Sequence, residues 1–310
     1  MVAYQAVLLI AFGGPTSSEE VRPFLARVTQ GIAIPPERLE DVAHHYEAVG
    51  GRSPLNEITS RQARAVQKLL RDRGMDLPVY VGMRNTAPFL VDTLRQMAID
   101  GVQRALGFIL SSHHTEASWD RYQKNVADAR LAIGRDAPEI DYCAGWHDHP
   151  LFIQTWAESI AASFAGIARE QRSATPLIFT AHSVPVPMAN RSPYIEQLAI
   201  TARSIAEKIG HNNWSIAYQS RSGNPGDPWL EPDINSVIRD FSVQGVTEVV
   251  VAPIGFVSDH VEVLYDLDLE ANKTAAQAGI KLHRASCPND QMTFIRMIAD
   301  VIAGSVEASH

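Results

Sequence analysis

The feature that most constrains the fold is a regular alternation between short apolar runs and longer amphipathic stretches. Each apolar run is about as long as a strand and is mostly non-alternating, which indicates a sheet that is covered on both faces. The candidate strands are Val7–Phe12, Val79–Met83, Ala105–Leu110, Ile140–Ala144, Leu177–Ala181, Ser215–Gln219, Glu248–Ile254 and Lys281–Ala285. The alternation predicts an α/β fold built from βαβ units with parallel strands.

The amphipathic stretches carry the start and stop signals of helices. Clear examples are Pro88–Asp100, Ile195–Ile209 and His260–Ala278. The first of these begins with a proline, and a glycine follows each of the three. Four candidate strands lie on each side of about residue 150, so we expect two similar α/β lobes, each with a four-stranded parallel sheet, and a cleft between them. Residues 17–73 contain no strand pattern, and we expect them to form an extra helical wall of that cleft.

A histidine follows one of the predicted strands. In open α/β sheets the carboxyl ends of the strands face the ligand crevice. His182 directly follows Leu177–Ala181, and the loop after it contains Pro185 and Pro187, which fix the direction of the ring. An imidazole in such a place can accept a proton or bind a metal ion, because its ordinary pKa suits both tasks. We therefore interpret His182 as functional rather than as a histidine that only bonds a loop.

Carboxylates follow the strand Glu248–Ile254 at helical spacing. Glu262, Asp266 and Glu270 lie at intervals of four, so they share one face of a helix. Acidic residues in a first helical turn complement the helix dipole, which accounts for Asp259 and partly for Glu262. Asp266 and Glu270 lie deeper, where they repel each other unless a divalent cation is attracted. With His260 they predict a site that moves protons and binds a hard or borderline metal ion.

Other histidine motifs have a structural explanation. His147 and His149 could bind a metal, but we favour a helix start at Pro150. The adjacent pairs His44–His45 and His113–His114 each point to two different sides, so we expect one histidine of each pair to line a cleft.

Three loops are rich in glycine or proline. Ala11–Pro15 and Tyr46–Pro54 match neither phosphate-binding motif and indicate only loops near a ligand. Gln219–Asp233 is typical of a structured loop that leads into a helix, and we interpret its Trp229 as a packing anchor.

The composition argues against several classes of protein. A net charge of −8 without a basic stripe argues against nucleic acid as a partner. Cys143 and Cys287 are far apart and in no CxxC arrangement, which argues against a disulfide scaffold, a structural zinc site or an iron–sulfur cluster. No apolar run reaches the ~18–20 residues of a membrane span, and residues 1–5 lack a signal-peptide pattern. We expect a cytoplasmic monomer and leave peripheral membrane contact open.

Taken together, these segments resemble the ferrochelatase family, which inserts ferrous iron into a porphyrin. The similarity covers nearly the whole chain and rests on LLIAFGGP, VRPFL with VTQG, HHYEAVGGRSPLNEIT, YVGMRNTAPF, TAHSVP, YQSRSG with PWLEPD, and PIGFVSDHVEVLYDLDLE. The resemblance implies two Rossmann-like lobes with a porphyrin cleft between them. Residues 1–113 and 286–310 would form the first lobe, on which the C-terminal helix packs back, and residues 114–285 would form the second.

The resemblance also implies roles for the strand-end residues. His182 would lie nearest the pyrrole nitrogens and accept protons or ligate iron, and Glu262 would face it and share these tasks. His260 would support the pair, so that these three residues are the expected catalytic set. Asp266 and Glu270 would extend the metal-binding set, carrying protons away or holding a second divalent cation. Iron is a substrate in this interpretation, and neither an organic cofactor nor an iron–sulfur cluster is expected.

Positions that match porphyrin contacts in the family lie in the first half of the chain. They are Phe12, Thr29, His45, Tyr46, Ser53, Arg84 and Tyr122. The resemblance implies that Arg84 is a partner for a substrate carboxylate. Phe12 stands where relatives that act on coproporphyrin have a tyrosine, and Thr29, Gln30 and His45 replace arginines. The choice between protoporphyrin IX and coproporphyrin III therefore stays open.

Two other functions are compatible with the same pattern. One is a chelatase for another tetrapyrrole or metal, such as cobalt, because a mixed nitrogen and oxygen site does not strongly exclude other divalent ions. The other is a non-catalytic tetrapyrrole or metal carrier, against which the presence of both His182 and Glu262 weighs.

Overall fold

Eight parallel strands form two four-stranded sheets in the computed structural model, which describes residues 3–31, 35–222 and 226–308. The strands are β1 (Ala6–Ala11), β2 (Val79–Met83), β3 (Arg104–Ile109), β4 (Glu139–Tyr142), β5 (Leu177–His182), β6 (Trp214–Gln219), β7 (Glu248–Ala252) and β8 (Lys281–Arg284). The first sheet has the order β2-β1-β3-β4 and the second has the order β6-β5-β7-β8. All eight predicted strands and their parallel pairing are thus confirmed.

Helices connect the strands throughout. They are α1 (Ser18–Val28), α2 (Pro36–Ala48), α3 (Leu55–Asp72), α4 (Leu90–Ile99), α5 (Arg121–Ile133), α6 (Pro150–Phe164), α7 (Val186–Asn190), α8 (Tyr194–Ile209), α9 (Ile234–Val243), α10 (Val261–Val263), α11 (Asn272–Gln277) and α12 (Met292–Glu307). Two segments, Glu116–Asp120 and Leu264–Ala271, are π-helical. Three helices and no strand occur among the described residues of 17–73, as the pattern predicted.

The first unit comprises the described residues of Met1–Ser111, Ala117–Trp146 and Asp290–His310. Its central strand β1 is fully buried, and α4 and α5 pack together over one face, where Leu94 and Val126 contribute to the core. On α12, Phe294 meets Trp146 edge-on, and Trp146 stacks on Phe108 of β3. This aromatic contact gives the C-terminal helix an apolar surface to bury in the first unit.

The second unit comprises the described residues of Ser112–Glu116 and His147–Asn289. The strongly apolar helix α6 packs against β7, β8 and α8, and its Trp156 and Ile160 are completely buried. On the other side of the sheet, α9 and α11 contact β6 and β8 respectively. The sheet is thus covered by helices on both faces, which explains why its strands lack alternation.

Two boundaries differ from the sequence-based expectation. Residues 117–146 belong to the first unit, although the boundary at residue 113 assigned them to the second lobe, because β4 pairs with β3. Residues 286–289 remain with the second unit, because the side-chain amide of Asn289 bonds Asp259 twice. Its Oδ1 atom accepts from the Asp259 N–H, and its Nδ2 group donates to the Asp259 carboxylate. The C-terminal segment of the first unit begins at Asp290, whose carboxylate pairs with Arg61 at 2.7 Å.

Two helices also differ from their predicted form. The helix expected at Pro88–Asp100 begins only at Leu90, because Phe89 is extended and the Pro88 carbonyl accepts a bond from the Met83 N–H. The helix expected at His260–Ala278 is not a continuous α-helix. It consists of α10, the π-helical segment Leu264–Ala271, and α11.

Candidate active site

His182 is the last residue of β5, and its backbone and ring are both fixed. The Tyr194 hydroxyl donates to the His182 carbonyl at 2.9 Å, and the Ser183 N–H donates to the Gln219 carbonyl at 2.7 Å. The ring atom Nδ1 lies 2.5 Å from the Ser183 carbonyl oxygen. Because a carbonyl can only accept, Nδ1 carries a proton. The other ring nitrogen, Nε2, is therefore the atom available for chemistry, and it lies 3.7 Å from Oε1 of Glu262.

A close backbone contact places Glu262 beside His182. Gly255, which follows β7, lies against β5, and its N–H donates to the Thr180 carbonyl at 3.0 Å. A Cβ atom at Gly255 would lie 2.6 Å from the Cβ atom of Ala181, so only glycine fits without a shift. The buried Gln219 side chain adds a second link, accepting from Thr180 Oγ1 at 2.8 Å and donating to the Glu262 carbonyl at 3.2 Å.

The predicted line of carboxylates lies on a π-helical segment rather than on an α-helix. The change in backbone bonding from i→i+4 to i→i+5 alters the register of side chains, and such segments are frequent at functional sites. Glu262 nevertheless stands within electrostatic range of Asp266, as Glu270 does. The structure therefore brings His182, Glu262, Asp266 and Glu270 together in one region of the second unit.

Asp266 is buried and accepts a hydrogen bond from a serine whose backbone conformation is strained. Ser220 has a φ of 62°, in the left-handed region, and its hydroxyl donates to Oδ2 of Asp266. Burial and the charges of Glu262 and Glu270 raise the pKa of Asp266 to about 7, although the bond from Ser220 acts in the opposite direction. Asp266 is therefore poised to exchange a proton near neutral pH.

Glu270 contacts a buried amide on the neighbouring helix α9. The Asn235 Nδ2 group donates to Oε2 of Glu270 at 3.4 Å, and Asn235 is 8% exposed. The Asp233 carboxylate caps α9 by accepting from the N–H groups of Asn235 and Ser236. Asn235 is thus held in a fixed position next to the outer carboxylate.

The pKa values of the two histidines of the site are shifted in opposite directions. Burial acts to lower the pKa of His182, but Glu262, the Ser183 carbonyl and Asp266 outweigh it and raise this pKa to about 9. Burial lowers the pKa of His260 in spite of nearby Glu262 and Asp259. His260 precedes α10, and its ring meets Phe256 edge-on at 4.9 Å. His182 is therefore the charged histidine at neutral pH.

Asp259 has a different role from the one expected. It does not complement a helix dipole but pairs with Arg284 at 3.0 Å and accepts from the Asn289 amide at 2.7 Å. Arg284 also holds Asp268 in the π-helical segment through two bonds of 2.5 and 3.1 Å. One guanidinium at the end of β8 thus fixes the chain both before Glu262 and after it.

Four of the predicted porphyrin-contact residues cluster in the first unit. The Arg84 guanidinium lies over the rings of Phe12, at 5.3 Å, and Tyr122, at 4.9 Å. Phe24 meets both Phe12 and Tyr46 edge-on, at 6.0 and 5.8 Å. The sequence positions 12, 46, 84 and 122 therefore form one aromatic and cationic group.

The other three predicted contacts are placed by local bonds. Thr29 follows α1, and its hydroxyl donates to the Leu25 carbonyl at 2.8 Å, within its own helix. His45 is half-buried on α2. Ser53 accepts from the Leu55 N–H at 3.3 Å and lies so close to Gly14 that a Cβ atom there would approach it to 2.6 Å. The glycines of the first loop thus serve close packing.

The remaining motifs mostly follow the structural interpretation. His149 precedes Pro150 at the start of α6 and accepts from the Leu151 N–H, as expected for a helix start. His113 is buried between Ser112 and Thr201, and burial lowers its pKa to about 3. In the loop that contains Trp229, residues 223–225 lie outside the described residues.

Several site residues were not predicted from the sequence. They are Gln219, Ser220, Asn235 and Arg284 in the second unit and Asn125 in the first. Only Gln219 and Ser220 carried a signal, because Gln219 ends β6, the neighbour of β5, and Ser220 follows it at the carboxyl end of the strand.

The described parts of the chain contain neither a metal-binding cluster nor a membrane-spanning helix. Within residues 3–31, 35–222 and 226–308, no three His, Cys, Asp or Glu side chains are arranged to hold a metal ion together, so the four predicted metal ligands do not form a ready-made site. None of the helices in the same ranges is long and apolar enough to cross a membrane.

Solved structures with the same fold belong to the chelatases. SirB from Bacillus subtilis with Fe3+ superimposes with a TM-score of 0.60 over 99% of this chain and 97% of that chain, at 8% identity. CbiX, the terminal enzyme of sirohaem biosynthesis in denitrifying bacteria, gives a TM-score of 0.55 over 97% and 99%, at 15% identity. The fold is therefore the two-lobed fold of the chelatases.

Proteins of similar sequence show which family of the chelatase fold this chain belongs to. The ferrochelatase family model matches residues 4–306, so the chain belongs to the ferrochelatase family, whose members are enzymes that insert ferrous iron into a porphyrin in haem synthesis. A coproporphyrin III ferrochelatase of Mycolicibacterium vanbaalenii is 42% identical over 97% of this chain and 90% of its own length. One of Mycolicibacterium paratuberculosis is 44% identical over 96% and 87%. A protein of Rhodopirellula baltica named ferrochelatase is 40% identical over 96% and 85%.

Proposed function

We propose that this chain inserts ferrous iron into coproporphyrin III, with His182 and Glu262 as the central catalytic pair. The observation that carries the proposal is the approach of His182 Nε2 to Glu262 Oε1, at 3.7 Å, beyond the carboxyl end of β5. The choice of coproporphyrin III is supported by relatives of that name at 42% and 44% identity.

The pair handles the two protons that a porphyrin loses when it takes up iron. With a pKa of about 9, His182 starts as an imidazolium beside the Glu262 carboxylate at neutral pH. An approaching Fe2+ ion repels this positive charge and favours loss of the proton through Glu262 to Asp266, whose pKa of about 7 suits a transient acceptor. The neutral ring can then accept one pyrrole proton, pass it on through Glu262 in the same way, and accept the second.

The same pair binds iron only briefly. Nε2 of His182 and the carboxylate of Glu262 provide one nitrogen and one oxygen donor, a mixed set that suits a borderline ion such as Fe2+. A site with so few protein ligands releases the metal to the four nitrogens of the porphyrin. His260 supports the pair from its position just before α10.

Asp266 and Glu270 form an outer acidic path from this pair. Their position along the π-helical segment lets them pass protons outward or hold a second divalent cation. Asn235 steadies Glu270 at 3.4 Å and offers an amide oxygen in addition. Iron remains a substrate in this scheme, and no iron–sulfur cluster takes part.

The first unit supplies porphyrin contacts. Arg84 binds a substrate carboxylate, while the rings of Phe12, Tyr46 and Tyr122 contact the macrocycle. The further contacts are Thr29, His45 and Ser53. The Phe12 ring has no donor atom for iron, so this position supplies no protein ligand to the metal.

An anaerobic assay with coproporphyrin III and protoporphyrin IX in parallel tests the proposal. Purified protein and Fe2+ are mixed with each porphyrin, and the absorbance change on metallation is followed. We expect catalytic turnover that is faster with coproporphyrin III. Faster turnover of protoporphyrin IX would overturn the choice of substrate, and binding without turnover with iron, cobalt or zinc would identify a carrier instead.

A further inference from the structure

Arg84 is an arginine of the first unit whose observed hydrogen-bond and ring partners are all neutral. The guanidinium lies between the rings of Phe12 and Tyr122 and donates from Nε to Oδ1 of Asn125 at 2.7 Å. Among residues 3–31, 35–222 and 226–308, no carboxylate lies within salt-bridge distance of it. Burial lowers the pKa of Arg84, and the neighbouring Arg121 acts in the same direction.

Arg104, at the amino end of β3 in the same sheet, provides an internal comparison. Its guanidinium also lies over an aromatic ring, that of Tyr4 at 4.8 Å, and its Nε also donates at 2.7 Å. The acceptor there is the carboxylate of Asp141, which neutralises the charge. Arg84 has the same arrangement with an amide in place of the acid. Asn125 therefore orients the guanidinium and leaves its charge uncompensated.

A partly buried cation without an acid is unfavourable unless an anion binds to it. The bond to Asn125 occupies Nε, and the Tyr122 hydroxyl also interacts with the guanidinium. The Nη groups carry the remaining N–H donors, which can form a bidentate contact with a planar carboxylate. Contact with the two rings limits the motion of the guanidinium and so lowers the entropy that is lost when it binds an anion.

We propose that Asn125 is a positioning residue that holds Arg84, still charged, as the receptor for one carboxylate substituent of the porphyrin. This inference rests on the proposed function for the identity of the ligand. Asn125 touches neither the substrate nor the iron and acts only through Arg84. An aspartate at position 125 would keep the orientation of the Arg84 side chain but neutralise its charge. Arg84 would then no longer attract a substrate carboxylate.

The test compares Asn125→Asp with the control Lys124→Gln on the same helix. Both variants change the net charge by −1, but Lys124 is on the exposed face and pairs with Asp128. Affinity for coproporphyrin III is measured without iron, by quenching of protein fluorescence, and turnover is measured separately. A third variant, Asn125→Ser, keeps a neutral acceptor and is measured in parallel. If the aspartate variant does not fold, the serine variant is compared with the parent chain, and affinities of the two for coproporphyrin III that differ by more than for its tetramethyl ester are expected.

We expect Asn125→Asp to weaken coproporphyrin III binding by about 10- to 100-fold, the effect of one lost charge-assisted contact, with a raised KM and nearly unchanged kcat. Lys124→Gln should bind within about twofold of the parent chain, and Asn125→Ser should bind more tightly than Asn125→Asp. The tetramethyl ester of coproporphyrin III, dispersed in detergent, should bind the parent chain and Asn125→Asp equally.

Three results would overturn the inference: equal affinities of Asn125→Asp and the parent chain, an equal loss for the ester, or a fall in kcat at constant KM. Because binding is measured without iron, a charge-dependent affinity in a chain that shows no turnover would refute the proposed function and leave this inference intact.

Discussion

Replacement of Asp266 by asparagine tests the electrostatics of the site most directly. Asp266 is 8% exposed, and its pKa is raised from its ordinary value of 3.8 to about 7. Asparagine has nearly the same shape and can still accept the bond from Ser220, so the substitution removes the charge and keeps the packing. The variant should therefore be more stable than the parent chain wherever Asp266 is ionised.

The magnitude follows from the two pKa values. Between pH 3.8 and 7 the folded chain holds a proton on Asp266 that the unfolded chain has lost, so the free energy of unfolding falls as pH rises. The slope is about 1.4 kcal/mol per pH unit, which gives about 3 kcal/mol between pH 5 and pH 8. The difference in stability between variant and parent should increase by that amount.

Urea unfolding at pH 5, 6, 7 and 8 measures this difference. The pKa of His182 is raised to about 9, so its stabilising contribution is complete below about pH 6.5 and is lost as pH rises through 9, in both chains. It therefore cancels to a first approximation. The exposed Asp240 on α9 provides the control Asp240→Asn, which should change stability by less than about 0.5 kcal/mol. A difference between variant and parent that stays constant from pH 5 to pH 8 would refute the reasoning.

Two further predictions concern turnover. His182→Ala should abolish iron insertion, about 1,000-fold or more, while porphyrin still binds, and the exposed His44→Ala should have no effect; single-turnover assays and fluorescence binding check this. Retained turnover would remove His182 from the mechanism. Glu270→Gln should raise the Fe2+ concentration needed for half-maximal rate several-fold and leave porphyrin affinity unchanged, as steady-state titrations of each substrate would show. Equal effects on both substrates would contradict the outer path.

The strands were predictable because their signal is local. A strand that is buried on both faces needs apolar residues at every position, and β1 is such a strand from Ala6 to Ala11. The helix after β2 was less predictable, because its start depends on the bond between Met83 and the Pro88 carbonyl. The unit boundary was misplaced for a similar reason, since only the pairing of β4 with β3 assigns residues 117–146.

The site was predictable in its residue types and less so in its geometry. Strand ends pointed to His182 and Glu262 because carboxyl ends of parallel strands carry ligand sites. The π-helical segment could not be predicted from the spacing of the carboxylates, because that spacing fits an α-helix equally well. Its register is held by Arg284, which bonds Asp259 before the segment and Asp268 within it. That contact joins residues 16 and 25 positions apart, beyond the reach of a helical pattern.

The sequence by itself determined the fold class, the strands, the family resemblance and the strand-end location of the candidate site, because these depend on local hydrophobic patterns and short motifs. Only the tertiary structure decided the contact of His182 with Glu262, the burial that raises the pKa of Asp266, and the pairing of Arg84 with Asn125. Each of these depends on distance and solvent exclusion between segments that are distant in the chain, and electrostatic energies vary steeply with both.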